Sequence, residues 1–445
     1  MDLSNKVKSS LKPYQWVVLS YLAVILAGSL LLYLPISSHK PTTYITALWT
    51  ATSATCVTGL VVVDTGTHYT TFGQTIILML IQIGGLGYMT AMTMIALLLG
   101  RKLSIFDRNI LSDTLNLYSI QGAVKLVKLI AFFVLGIEIT GALLLSLRFI
   151  PRFGYINGLW KSLFHAVSAF NNAGFDIMGN FKSLTEFVSD PYVNLIISIL
   201  IIIGGIGFIT VSEIILHRKN GVMSLHTKMV IRTTVILLIL ATFLVLLLEF
   251  NNPKTLGNLN FFNKILASYF QAVTPRTAGF NTINTSSLLP ATSLIIIFLM
   301  FIGASPGGTG GGVKTTTLAV GLAFIWSILQ GEEKTVIMNR SIPSSTIRKT
   351  IAILFIALML VFISTFAMLS TQKAPPLDII FEVTSAFGTV GLSRGLTTNL
   401  NFTGKIILMF TMFAGRVGPL ALLLSLVVKR KPLVITYPEE KVSVG

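Results

Sequence analysis

The amino-acid sequence predicts an all-α integral membrane protein in which eight transmembrane helices form four parallel helix, pore-loop, helix repeats around one central pore. Three observations carry that prediction. Of 445 residues, 53% are hydrophobic and only 11% are charged, against about 25% charged residues in soluble chains. Eight apolar windows are each long enough to cross a hydrocarbon core of about 30 Å, which takes about 20 residues. Four short segments of matching pattern also recur at nearly equal spacing along the chain. A single cysteine, Cys56, excludes a disulfide scaffold and a Cys-based metal site.

The windows run Pro13 to Ser38, Tyr69 to Gly100, Leu129 to Leu147, Pro191 to Ser212, Thr233 to Leu248, Ser287 to Val313, Thr350 to Gln372 and Ile406 to Val428. Two of them carry one charge each, Glu138 in the third and Arg416 in the eighth. The first lacks a small-residue cleavage site and reads as a retained helix rather than a signal peptide. Eight spans leave both termini on one side of the membrane. Of 33 Lys/Arg residues, 20 fall in the termini and loops of that side and 11 in the opposite loops, so both termini are expected to be cytoplasmic. The net charge of +17 thus reads as a topology signal, with no patterned basic helix that would point to nucleic acid.

The repeated segments end in Thr58-Gly59-Leu60, Ala173-Gly174-Phe175, Ala278-Gly279-Phe280 and Val390-Gly391-Leu392, with the glycines 115, 105 and 112 positions apart. They divide the chain into repeats 1–100, 101–228, 229–340 and 341–445. Each segment opens with a half-length helix of about 10 to 12 residues, too short to span. Non-helical backbone at membrane depth is tolerated only where it is buried in protein or faces a water-filled cavity. Four such loops around one axis bring four sets of carbonyls together, the arrangement that replaces the hydration shell of a cation. The half-helices aim their negative C-terminal ends inward. In the windows that follow, Gly84, Gly204, Gly303 and Gly415 stand at matched offsets from the loop glycines. Gly84, Gly85, Gly87, Gly204, Gly205 and Gly207 read best as sites of close helix packing.

From Ser287 to Trp326 the chain is apolar but broken by Gly303-Ala-Ser-Pro306-Gly307-Gly308-Thr-Gly310-Gly311-Gly312-Val-Lys314. Proline and clustered glycines do not continue a helix. A nucleotide-binding phosphate loop is excluded, because the Gly-Lys adjacency is missing and no strand precedes it. The break is expected in repeat 3 alone, as an intramembrane loop beneath the four-loop centre. Lys314 and Arg416 lie at membrane depth, where an uncompensated cation costs about 2.5 to 3.5 kcal/mol. Arg416 is expected to bind the loop carbonyls from the neighbouring repeat, with pairing to Glu138 as the structural alternative. Arg276 is expected to point behind its loop, toward a carboxylate such as Glu382, and Asn171 and Asn172 to bond neighbouring loops. Glu138 invites a proton-relay reading, but a lone carboxylate toward one end of a span is more often structural. No nucleophile, base and orienter constellation is visible, so the chain is not expected to be an enzyme.

The four single-glycine loops with one Gly-rich broken helix resemble the Trk, Ktr and HKT superfamily of potassium transporters across nearly the whole chain. The first window opens at Pro13, which favours the Ktr type over Trk-type members with additional N-terminal helices. The resemblance implies a potassium filter lined by Val57, Thr58, Gly59 and Leu60; Asn172, Ala173, Gly174 and Phe175; Thr277, Ala278, Gly279 and Phe280; and Thr389, Val390, Gly391 and Leu392. Glycine at all four centres favours potassium over sodium, since sodium-selective plant relatives carry serine in the first loop. It further implies that residues 303–315 gate the pore, that sodium activates, and that the subunit forms a homodimer. Nucleotide is expected not on this chain but on a separate cytoplasmic ring of Rossmann-like regulatory subunits. The rival reading is the ion-translocating subunit of an ATP-driven potassium pump; an intramembrane enzyme is a second.

Overall fold

The structure is a computed structural model that describes residues 13–87, 123–220, 223–426 and 440. The N-terminal basic residues, most of the basic loop beginning at position 101 and the tail from position 429 therefore lie outside the described residues. Fifteen principal helices are numbered here. They are grouped by the four segments that the sequence predicts as repeats: repeat 1 holds α1 (Pro13–Tyr33), α2 (Tyr44–Thr55) and α3 (Thr71–Leu86). Repeat 2 holds α4 (Ala123–Phe153), α5 (Tyr155–Phe170), α6 (Pro191–Gly205) and α7 (Phe208–Asn220). Repeat 3 holds α8 (Leu225–Glu249), α9 (Phe261–Val273), α10 (Pro290–Phe301) and α11 (Thr315–Leu329). Repeat 4 holds α12 (Ser344–Thr371), α13 (Pro376–Gly388), α14 (Phe402–Val417) and α15 (Pro419–Leu426). A short antiparallel hairpin, β1 (Val336–Ile337) with β2 (Arg340–Ser341), follows α11.

The first helices of the four repeats, α1, α4, α8 and α12, are each long and apolar enough to cross a membrane. The short helices α2, α5, α9 and α13 contain 12, 16, 13 and 13 residues. Three of them are longer than the sequence suggested, but even the longest is too short to cross the hydrocarbon core. Side-chain chemistry sets their ends. Asn260 caps α9 by accepting from the Asn263 amide, and prolines open α13 and forbid its extension backwards.

Each short helix packs on the first helix of its own repeat, and also against the second long helix of the preceding one: α3 on α5, α6 on α9, α10 on α13 and α14 back on α2. That last contact closes a ring. Among the described residues the buried apolar side chains gather into five clusters, each joining neighbouring repeats, such as Ile77 with Phe175 and Trp49 with Met412. The fold is thus held by seams between repeats, and the loops after the short helices meet at its centre.

The second helices correct one expectation. A break was foreseen in repeat 3 only, yet all four stop at the matched place. Helix α3 ends in Gly87 at φ 78°; α6 ends before Gly207 at φ 93° and turns by 100° into α7; α14 ends in Gly418 at φ 94° and turns by 95° into α15. In repeat 3 the break widens into the segment between α10 and α11. Gly87 and Gly207 are therefore helix-terminating residues in the left-handed region, where a side chain is strained; Gly87 has open space around it, whereas Gly207 is also a site of close approach, its Cβ position 2.4 Å from the Pro306 carbonyl oxygen.

Gly84, Gly204 and Gly415 are packing sites. A Cβ on them would stand 2.0, 1.8 and 1.9 Å from the carbonyl oxygens of Thr55, Phe170 and Phe387, near the ends of the short helices. Gly204→Ala is expected to destabilise the fold by about 1–3 kcal/mol or more, because a backbone carbonyl cannot step aside. Gly136→Ala, at an exposed helical position with open space around it, should be neutral or stabilising. Thermal denaturation of both variants in detergent checks this; equal midpoints would refute the packing role.

Candidate cation path

The loops after α2, α5, α9 and α13 share one backbone conformation. Val57, Asn172, Thr277 and Thr389 have φ of 56, 56, 66 and 52°, and Gly59, Gly174, Gly279 and Gly391, two residues on, have φ of 86, 68, 76 and 92°. For β-branched Val57, Thr277 and Thr389 such a conformation is strained, at a cost of order 1–3 kcal/mol each. Three equivalent strained residues in sequence-distant loops, with Asn172 in a left-handed conformation that asparagine tolerates, mark a backbone held for a purpose.

The loops touch in a cycle. A Cβ on Gly59 would meet the Ala173 carbonyl at 2.4 Å, on Gly174 that of Ala278 at 2.7 Å, on Gly279 that of Val390 at 2.2 Å, and on Gly391 that of Thr58 at 2.2 Å. The four glycines and the four carbonyls before them form a closed ring in which only glycine fits. A cavity of about 560 Å³ opens above the ring, and all four glycines line it. Among the described residues, Asp176 is the one ionisable side chain lining this cavity.

Hydroxyls of the short helices brace the loops from behind, a feature the sequence reading did not single out. Ser53 and Ser385 Oγ each accept from the amide of their loop glycine, Gly59 and Gly391, at 3.1 Å. Ser168 and Thr274 donate to the carbonyls of Phe175 and Phe280 at 2.7 and 2.5 Å, and Trp49 donates to that of Leu60 at 2.9 Å. The signal was present, since Ser53, Ser168 and Ser385 all stand six residues before their glycine. The carbonyls of Leu60, Phe175 and Phe280 are thus engaged from behind the loops, and that of Leu392 has no matching bond among the described residues.

On the other side of the ring lies the segment between α10 and α11. The amides of Ser305 and Thr309 donate to the carbonyls of Gly205 (2.9 Å) and Gly204 (3.1 Å), and the Gly311 amide donates to Thr389 Oγ1 at 3.0 Å. Gly310 lies so close to Thr277 that a Cβ would stand 1.9 Å from its hydroxyl. The segment is thus pressed beneath loops 3 and 4 and pinned to α6. Arg416 of α14 donates to the Thr309 carbonyl and to those of Gly84 and Gly85 at the end of α3, the last at 3.1 Å. Lys314 donates to the carbonyls of Gly310 (2.7 Å) and Gly311 (3.3 Å). Both cations bind backbone oxygens rather than a carboxylate, and Arg416 ties the segment to repeat 1 as well.

Two side chains fall elsewhere than expected. Arg276 is buried, but its Nη1 and Nη2 have no partner among the described residues, so it does not reach Glu382. That carboxylate is taken by its own loop, accepting from Thr397 Oγ1 at 2.7 Å, the Arg394 amide at 3.2 Å and the Ser393 hydroxyl. Glu138 is not the partner of Arg416; it accepts from Asn171 and Gln82. Of the two asparagines, Asn172 bonds a neighbouring loop, donating to the Arg276 carbonyl at 3.0 Å and to Thr277 Oγ1 at 3.2 Å. Among the described residues no three His, Cys, Asp or Glu side chains form a metal-binding group.

Known proteins resemble this chain over most of its length. It is 46% identical over 433 residues to Ktr system potassium uptake protein B of Bacillus subtilis, covering 97% of each chain. It is 38% identical over 431 residues to the Vibrio alginolyticus protein of the same name (96% of this chain, 94% of the relative). To the potassium/sodium uptake protein NtpJ of Enterococcus hirae it is 37% identical over 451 residues (100% and 99%). Among solved structures, the potassium transporter TrkH of Vibrio parahaemolyticus superposes with a TM-score of 0.75 at 17% identity, over 93% of this chain and 84% of that one; this likeness concerns the fold. The TrkH family, described as cation transport protein, matches residues 4–432, and the chain belongs to that family.

Proposed function

We propose that this chain is the potassium-translocating membrane subunit of a bacterial potassium uptake system. One observation carries the reading: four glycine loops close into a ring with an acid-bearing cavity on one side and a Gly-rich segment pinned across the other. Potassium passes through the ring, its hydration shell replaced by backbone oxygens of the four loops, and the potential across the plasma membrane drives it inward. The chain conducts as eight spans in four parallel repeats, 1–100, 101–228, 229–340 and 341–445, with both termini cytoplasmic. The names of the relatives, all uptake proteins, support this over the pump subunit. One relative's name includes sodium, in keeping with sodium as an activator. Homodimerisation and control by a cytoplasmic nucleotide-binding ring are part of the proposal, resting on likeness to Ktr-system proteins.

Residues 303–315 act as the gate. Arg416 and Lys314 hold it closed through its carbonyls, so opening exchanges these charge-assisted bonds, each worth about 1.5–3 kcal/mol, for others. Asp176 concentrates cations at the outer mouth by its charge.

Purified protein in liposomes, given a set inward potential and no ATP, should take up rubidium in competition with potassium. Uptake that required ATP hydrolysis would favour the pump reading, and no uptake under any condition would refute conduction. Removing residues 306–311 should raise flux several-fold. Arg416→Gln should also change flux while leaving the size-exclusion profile intact. Unchanged or lower flux in well-folded loop-deleted protein would sink the gate assignment.

A further inference from the structure

Glu138 lies on α4, 3% exposed, with no Lys, Arg or His side chain as partner among the described residues. A buried carboxylate without a counter-charge is costly and must be solvated by fixed dipoles. Two amides do this. Asn171 Nδ2 donates to Glu138 Oε1 at 2.8 Å, and Gln82 Nε2 donates to Glu138 Oε2 at 3.2 Å. The amides are also joined to each other, Asn171 Nδ2 to Gln82 Oε1 at 2.9 Å. The three residues come from three elements: Glu138 from the first helix of repeat 2, Gln82 from the second helix of repeat 1, and Asn171 from the end of α5.

Two features of this triangle matter. Asn171 immediately precedes Asn172, the left-handed first residue of loop 2, which itself crosses to loop 3. The equivalent positions in the other loops hold Cys56, Arg276 and Gly388, none of them bonded to a carboxylate among the described residues. On the other side, Gln82 stands two residues before Gly84, whose carbonyl with that of Gly85 holds Arg416. Asn171 also fills the space opposite Gly85, where a Cβ would stand 2.1 Å from Asn171 Oδ1. One continuous chain of contacts therefore runs from Glu138 through Gln82, Asn171 and Gly85 to Arg416 and the Thr309 carbonyl of the gate.

The geometry points to Glu138 as a positioning residue for cation selection: it orients the Asn171 amide and thereby sets the register of loop 2 in the glycine ring, while fixing the end of α3 that Arg416 grips. The inference rests on the filter reading above and adds a residue 36 positions before Gly174, outside any loop. Glutamine cannot replace it. A glutamine amide at position 138 offers one acceptor where two donors converge and sets an N–H group against another N–H, so Asn171 or Gln82 must turn away. Asn171 Nδ2 donates to the Val167 carbonyl as well, at 2.9 Å, so position 171 must keep its amide and cannot take over the carboxylate.

The test is rubidium uptake in liposomes under a set potential by wild type, Glu138→Gln and Gln82→Met. Glu138→Gln should raise the apparent KM for rubidium at least tenfold and make sodium a competitor of rubidium, with a smaller change in maximal rate per folded protein. An unchanged KM and sodium response in Glu138→Gln would overturn the assignment, as would a loss confined to protein yield or maximal rate. Should Glu138→Gln not accumulate, Gln82→Met at its half-buried position carries the same test, and unchanged KM and sodium response there would overturn it equally. Wild-type protein that takes up no rubidium would instead refute the filter reading, and this inference would fall with it.

Discussion

The structure depends on one steric constraint, the approach of four backbones within a distance that leaves no room for a Cβ. Each loop glycine faces the carbonyl before the next loop's glycine, in cyclic order. A ring of this kind cannot be assembled by any single repeat, and the seams between repeats exist to press the loops together. Hydroxyls and an indole from the short helices take up donors and acceptors behind the ring, so the strained residues at positive φ are held by many small bonds. That distribution suits a site that must keep its shape while an ion's hydration shell is removed and restored.

Quasi-symmetry also explains where the molecule departs from it. All four second helices stop at one depth, which frees backbone carbonyls there. In repeats 2 and 4 a single turn suffices and the chain resumes. Repeat 3 uses the interruption to carry a long Gly-rich segment under the ring, and the freed carbonyls at the end of α3 serve as the far anchor for Arg416. Two cations bound only to neutral oxygens are a costly choice inside a membrane. In the proposed gate they suit a contact that opens better than an ion pair would, because removing a carbonyl from a guanidinium leaves no buried unpaired anion behind.

Much of this was legible in the sequence, and the misses have physical reasons. The loop glycines stood out because a half-length helix followed by polar residues has no other use at membrane depth. The broken helix stood out because forty residues of continuous helix would be twice the membrane thickness, and Arg416 followed from its neighbour Gly415. Gly87 was misread because packing and helix termination both call for glycine, and at Gly207 the two roles coincide. The partners of Glu138 lie 56 positions before it and 33 after it, across two repeats, and no periodicity links them. Arg276 was expected beside Glu382 on charge alone, but local hydroxyls and an amide had already met that carboxylate's needs.

The central claim is that the glycine ring is where the cation sheds its water. Its most direct measurement is the anomalous scattering of crystals grown in rubidium or thallium salts. Density is expected on the axis of the ring, beside the carbonyls of Thr58, Ala173, Ala278 and Val390, and is lost when rubidium is exchanged for sodium. Ions found only away from the ring, or bound there equally well as sodium, would contradict it.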